Sequence, residues 1–175
     1  MRHCARRALA TLGLPAVPIL SGQRGAPLWP DGVVGSMTHC AGYRAAVLGR
    51  RTAFVTLGVD AEPHAPLPDG VLDAIALPAE RERLARLAAA QPAVCWDRLL
   101  FSAKESVYKA WFPLTRRWLD FSEADIVVDP AAGLFHATLL VPGPVLDGTR
   151  LGAFTGRYRV DRGLVVTAIG VPAPA

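Results

Sequence analysis

The sequence predicts an α+β fold on three observations. The 175-residue chain is 51% hydrophobic, enough to bury a real core in one domain or in two small lobes. Apolar residues recur at helical spacing in some tracts and alternate along others. These tracts are interspersed without the strand–helix–strand rhythm of a doubly wound sheet, and no internal repeat is visible.

The first tract, "MRHCARRALATLGL", places Cys4, Ala8 and Leu12 on one helical face with no capping residue before it, a pattern expected where an upstream segment is missing. A Gly- and Pro-dense loop follows, "PAVPILSGQRGAPLWPDGVVGS". Strands are predicted for "SMTH" running into "YRAAVLG" and for "AFVTLGVDAE". After the turn "PHAPLPDG", "VLDAIALPAERERLARLAAA" is helical, interrupted at Pro78 and ending before Pro92. The longest helix is expected over 94–111, between Pro92 and Pro113, with Trp96, Leu99, Leu100, Ala103, Val107 and Ala110 at three- and four-residue steps. In the last third, "ADIVVDP", "LFHATLLV", "LGAFTGRYRV" and "GLVVTAIGV" read as strands, the last two joined at Asp161-Arg162-Gly163 as a hairpin. The tail "GVPAPA" has nothing to pack with.

A net charge of +4 and a pI near 9.3 suit anionic partners. Basic residues cluster no further than "RR" pairs, so no nucleic-acid groove is indicated. Cys4, Cys40 and Cys95 are widely spaced, odd in number and form no C-x-x-C pair, as expected of reduced thiols in a cytoplasmic protein. No apolar run is long enough to span a bilayer, and no secretory core is present.

Three short stretches carry chemistry. Of nineteen basic residues seventeen are arginines, and the only two lysines, Lys104 and Lys109, fall within "FSAKESVYKAW" around Glu105. Glu105 and Lys109 share a helix face, with Lys104 about 100° round. A surface Glu–Lys pair is the plain alternative, but the large apolar flanks Phe101, Val107, Tyr108 and Trp111 argue against free solvation, and a compact ammonium suits a phosphate oxygen. In "GVDAE", Asp60 and Glu62 project from one strand face about 7 Å apart, where they repel unless solvated at a strand end or bridged by a hard cation such as Mg²⁺. In "GSMTHC", Ser36, Thr38 and His39 offer phosphate donors, although a lone His is also a common structural hydrogen-bonder. Together Asp60, Glu62 and Glu105, with Lys104, Lys109 and His39, make a phosphoryl-transfer constellation.

"GVDAE", followed some forty residues later by "WDRLLFSAKESVYKAW", resembles the (V/I)GxD and (F/W)SxKExxxK signatures of the 4′-phosphopantetheinyl transferase superfamily, and "PLWPDGVVGSMTHCAGYRAAVLG" resembles its third motif. The likeness covers nearly the whole chain and is nearest to the siderophore- and polyketide-associated actinobacterial branch. It implies two similar lobes in a pseudo-dimeric fold, split here near residue 66 into 1–66 and 67–175, with the site at their junction. It implies Mg²⁺-dependent transfer of phosphopantetheine from coenzyme A to a serine of an acidic acyl or peptidyl carrier protein, by a monomeric enzyme. By the same resemblance Asp60, Glu62 and Glu105 hold Mg²⁺, while Thr38, His39, Lys104 and Lys109 contact the pyrophosphate. Arg2 matches a 3′-phosphate position, and Arg24 lies near the adenosine end. Glu105 takes the serine proton, directly or through a metal-bound water. Arg116, Arg117 and Trp118 are expected to steer the carrier, and Tyr108 with Trp118 either lines the pantetheine channel or serves the core.

Similar enzymes begin with roughly a few tens of further residues before "RHCAR", judged from typical element lengths. Close relatives carry a lysine where Ser21 stands. Both departures weaken the expected 3′-phosphate pocket and leave two rivals to the transferase. One is a truncated, weakly active or inactive module that binds carrier protein or coenzyme A; the other is a Mg²⁺-dependent pyrophosphate hydrolase.

Overall fold

Helix α1 (Arg2–Thr11) opens the chain of this computed structural model, which describes residues 1–174. The loop expected after it contains two two-residue strands, β1 (Leu20–Ser21) and β2 (Pro27–Leu28), paired antiparallel around a 3₁₀ turn at Gln23–Gly25. Strands β3 (Val33–Cys40), β4 (Tyr43–Arg50) and β5 (Phe54–Pro63) follow, then helices α2 (Val71–Ile75), α3 (Pro78–Ala90) and α4 (Trp96–Thr115). The last third holds β6 (Ala124–Asp129), β7 (Leu134–Leu139), the short β8 (Val145–Leu146) and β9 (Thr149–Arg150), β10 (Ala153–Asp161) and β11 (Leu164–Pro172).

The predicted elements form, with β3 beginning at Val33 inside the expected loop and the long helix displaced at both ends, starting at Trp96. The long helix does not end before Pro113 but runs on to Thr115 and terminates at Arg116 in a left-handed conformation (φ 56°). Pro113 removes only the last-turn N–H that would have reached the Lys109 carbonyl, so the helix absorbs it. The Asp161–Leu164 hairpin forms as expected: Arg162 (φ 49°) and Gly163 (φ 75°) both take positive φ, as a type I′ turn requires.

Five strands form one antiparallel sheet in the order β5-β11-β10-β7-β6. α4 packs across it, burying Leu99, Ala103, Val107, Ala110 and Trp111 against Ile126, Phe135, Phe154, Val165 and Ile169. A second, smaller core forms where Ala5 and Leu9 of α1 meet Ile19 and Val33. Chain order puts β5 with the first 66 residues, yet it is the outer strand of the five-stranded sheet, paired to β11 from Pro63↔Leu164 to Phe54↔Pro172. Among the described residues no helix is long and apolar enough to cross a membrane.

Two features bring α4 close to β5. A Cβ on Gly58 would lie 2.1 Å from the Ser106 carbonyl oxygen, so only glycine admits the helix there. Small polar residues stitch the helix to the sheet, Thr56 Oγ1 of β5 donating to the Ala110 carbonyl at 2.9 Å and Thr167 Oγ1 of neighbouring β11 to that of Ser102 at 2.8 Å. On its other edge β5 meets β3 through side chains. Ser36 Oγ accepts from Val59 N–H at 3.0 Å, and Thr38 Oγ1 from Ala61 N–H at 3.1 Å. Buried backbone donors of β5 are thereby satisfied without a ladder.

Candidate active site

Strand alternation places Asp60 and Glu62 on one side of β5, and helical spacing places Arg98, Glu105 and Lys109 along one face of α4. The two faces meet at a cavity of about 630 Å³, whose lining includes His39, Asp60, Glu62, Glu105 and Lys109. Arg24, Glu105 and Tyr108 also line an adjoining hollow of about 470 Å³, walled further by Trp118 and Phe121. The three carboxylates singled out in the sequence therefore share one space with His39 and Lys109.

Asp60 is only 3% exposed. Its Oδ1 accepts from Lys109 Nζ at 2.6 Å and from Thr38 Oγ1 at 3.0 Å. Its Oδ2 is buried without a partner. Glu62 pairs with Arg98 (Nη1 to Oε2, 3.2 Å), and Arg98 also donates to the carbonyls of Ala65 and Pro66, at 3.0 and 2.7 Å. Glu105 is half-buried and makes no ion pair among the described residues. Burial, reinforced by Asp60, pushes its carboxyl above the usual range, while Lys109 pulls it back. Burial and Asp60 raise Glu62 likewise, against Arg98 and Lys109. Cys40 beside them has its thiol pKa pushed up by burial and by both acids.

No three His, Cys, Asp or Glu side chains among the described residues enclose a metal by themselves, because Asp60 and Glu62 are turned toward cations of α4. The donors nevertheless fit a hard divalent ion. Three carboxylates border one cavity, and the orphaned Asp60 Oδ2 is a buried anionic oxygen that an oxygen-seeking cation satisfies.

Two expected phosphate contacts are corrected. Lys104 faces away from the cavity centre, into the protein. Its Nζ donates to the carbonyls of Phe121 (2.6 Å) and Ala124 (2.9 Å) and pairs with Glu80 Oε2 (3.0 Å), which spends all three protons. Glu80 is fully buried, and burial lowers the Lys104 pKa against the pull of Glu80. The 100° offset along α4 separates the lysines: Lys109 lines the cavity, and Lys104 staples α4 to α3 and the start of β6. Thr38 is likewise occupied, being 2% exposed with its hydroxyl held between Asp60 and Ala61.

The remaining residues lie around the rim. His39 is exposed on β3 and lines the cavity. Arg24 lies over the Trp118 ring, 5.4 Å from its centroid, and Trp118 meets Tyr108 at 5.0 Å. Arg2 is exposed, its guanidinium donating to the Ser21 hydroxyl, so the two positions of the expected 3′-phosphate pocket touch each other. Sequence reasoning missed Arg98, although its spacing of seven from Glu105 already marked a shared helix face. It also missed Glu80, for which no sequence signal exists.

Similarity to known proteins covers nearly the whole chain. The family model for the 4′-phosphopantetheinyl transferase N-terminal domain matches residues 1–49, and that for the 4′-phosphopantetheinyl transferase superfamily matches residues 56–145. The chain is 64% identical over 175 residues to the 4′-phosphopantetheinyl transferase Svp of Streptomyces mobaraensis, covering 100% of this chain and 71% of that protein. It is 56% identical over 173 residues to the transferase PptT of Mycobacterium tuberculosis, covering 97% and 75%. It is 39% identical over 112 residues to enterobactin synthase component D of Salmonella typhi, covering 63% and 45%. Nothing in these matches supports the alternative of an inactive binding module.

Proposed function

This chain belongs to the 4′-phosphopantetheinyl transferase superfamily, and from that premise we propose how its cavity performs the reaction. The enzyme moves 4′-phosphopantetheine from coenzyme A to a serine hydroxyl of a carrier protein and releases adenosine 3′,5′-bisphosphate. The observation that carries this reading is Asp60, held by Lys109 on one oxygen and left open on the other, beside Glu62 and Glu105.

Asp60, Glu62 and Glu105 would hold Mg²⁺. Bound there, the ion supplies charge neutralisation for the pyrophosphate and for the departing bisphosphate. Lys109 uses one of its three protons on Asp60 and has two left for a phosphate oxygen at the cavity wall. His39 donates from the β3 side, and Arg24 and Arg2 meet the nucleotide end. Tyr108 and Trp118 wall the adjoining hollow, whose apolar lining suits the pantetheine arm. Glu105 accepts the serine proton, directly or through a water, as the serine oxygen bonds to phosphorus and the phosphorus–oxygen bond of the pyrophosphate breaks. The exposed Arg116 and Arg117 and the net charge of +4 favour an acidic carrier. Peptide, polyketide and siderophore assembly lines carry such domains. We read residues 1–66 and 67–175 as two lobes, a division supported by the two separate hydrophobic cores.

Calorimetric titration with coenzyme A tests the site. Asp60→Ala is expected to remove the Mg²⁺-dependent part of binding, and unchanged binding would sink the metal assignment. Lys109→Arg is expected to lose most activity, since a planar fork replaces a point charge. A fully active variant refutes the role given to the ammonium.

A further inference from the structure

We propose that Thr38 is a positioning residue that orients the Asp60 carboxylate, fixing Oδ1 so that only Oδ2 is offered to a divalent cation. The inference rests on the reading of Asp60 as a metal ligand.

The hydrogen-bond directions around Thr38 are dictated by chemistry. Ala61 N–H can only donate, so Thr38 Oγ1 accepts from it at 3.1 Å. A carboxylate can only accept, so the single hydroxyl proton goes to Asp60 Oδ1 at 3.0 Å. The one hydroxyl proton is thereby committed to Asp60, on a side chain only 2% exposed at the cavity wall. A β-branched side chain is restricted at χ1, so the position of the hydroxyl oxygen is limited by β3 itself. Lys109 Nζ shares the same Oδ1 at 2.6 Å. Lys109 is shared between Asp60 and the phosphate, whereas Thr38 gives its only proton to Asp60 and keeps the carboxylate from rotating. The orphaned, buried Oδ2 is the counterpart of this arrangement, the one oxygen of Asp60 that no protein donor takes. Ser36 provides the internal comparison. It bridges β3 to β5 through Val59 N–H at 3.0 Å but has no hydrogen bond to Asp60.

The test is a Mn²⁺ titration read by electron paramagnetic resonance, with coenzyme A present and no carrier protein, so no turnover occurs. Thr38→Val should weaken Mn²⁺ binding about ten- to a hundredfold, the usual effect of removing an outer partner of a metal ligand. Thr38→Ser should restore most of the affinity, and Ser36→Ala should leave it unchanged. Wild-type affinity in a folded Thr38→Val protein overturns the inference. So does an equal loss in Ser36→Ala, because the effect then belongs to the strand seam. Should Thr38→Val fail to fold by circular dichroism, Thr38→Cys, a weaker donor, takes its place, and wild-type affinity there is equally fatal. Asp60→Ala separates the two levels. If it binds Mn²⁺ like the wild type, the metal reading falls; if it loses binding while folded Thr38→Val does not, only the role of Thr38 falls.

Discussion

Lys104 and Lys109 differ by five positions and by everything that surrounds them. Lys109 faces a solvent-filled cavity and holds one carboxylate oxygen, whereas Lys104 is 4% exposed with its ammonium fully coordinated. Their substitutions should therefore separate cleanly. Lys104→Met leaves the buried Glu80 carboxylate without its cation and should cost about 3–5 kcal/mol of stability in denaturant unfolding. Adding Glu80→Leu should recover only part of that, since it removes the stranded charge but leaves the Leu77 and Ile126 N–H groups without their acceptor. Lys109→Ala leaves the buried Asp60 with Thr38 as its remaining partner, so it should also cost some stability, and it should lower kcat about a hundredfold or more, as removal of one charge-stabilising donor does. A fully active folded Lys109→Ala or a stable Lys104→Met contradicts the assignment. The scarcity of lysine marked the right helix, and Asp60, Glu62 and Glu105 were legible from strand and helix periods. The division of labour between the lysines was not, because it depends on Glu80, a residue of another helix with no local signature.

At the scale of elements, the site exists because α4 lies unusually close to β5. Gly58 sets that distance from the strand side, and Thr56 ties it at Ala110. Gly58→Ala would push its Cβ against backbone rather than against a flexible side chain, so α4 must shift away from Asp60. The expected penalty is about 1–3 kcal/mol by thermal unfolding. Activity measured well below the transition should fall as well, because Glu105 and Lys109 move with the helix. Wild-type activity in a folded Gly58→Ala protein would show that the close contact is only structural. Element types were readable from apolar spacing, and the Arg162-Gly163 turn from its residues. Partners were not readable. β5 pairs with β11, about a hundred residues later, and reaches β3 through hydroxyls, neither of which leaves a trace in local periodicity. The end of α4 was misplaced because a proline in a last helical turn removes a hydrogen bond that the helix can spare.

The whole molecule is two hydrophobic cores joined along β5, with the cavity beside that seam. Each side supplies part of the site. His39, Asp60 and Glu62 come from the strands of the first part, and Glu105 and Lys109 from the helix of the second. A metal and a dianionic pyrophosphate placed between them would tie the two parts together. The motif order made this arrangement legible as a family likeness, whereas the Arg98 clamp on Glu62 and the Thr38 hold on Asp60 emerge only in three dimensions. The most direct test of the central claim incubates the protein with Mg²⁺, coenzyme A and an apo carrier protein, then weighs the carrier by intact mass spectrometry. The account predicts a gain of one phosphopantetheine with the wild type and none with Asp60→Ala. An unmodified carrier in the wild-type reaction, or equal modification by Asp60→Ala, would contradict it.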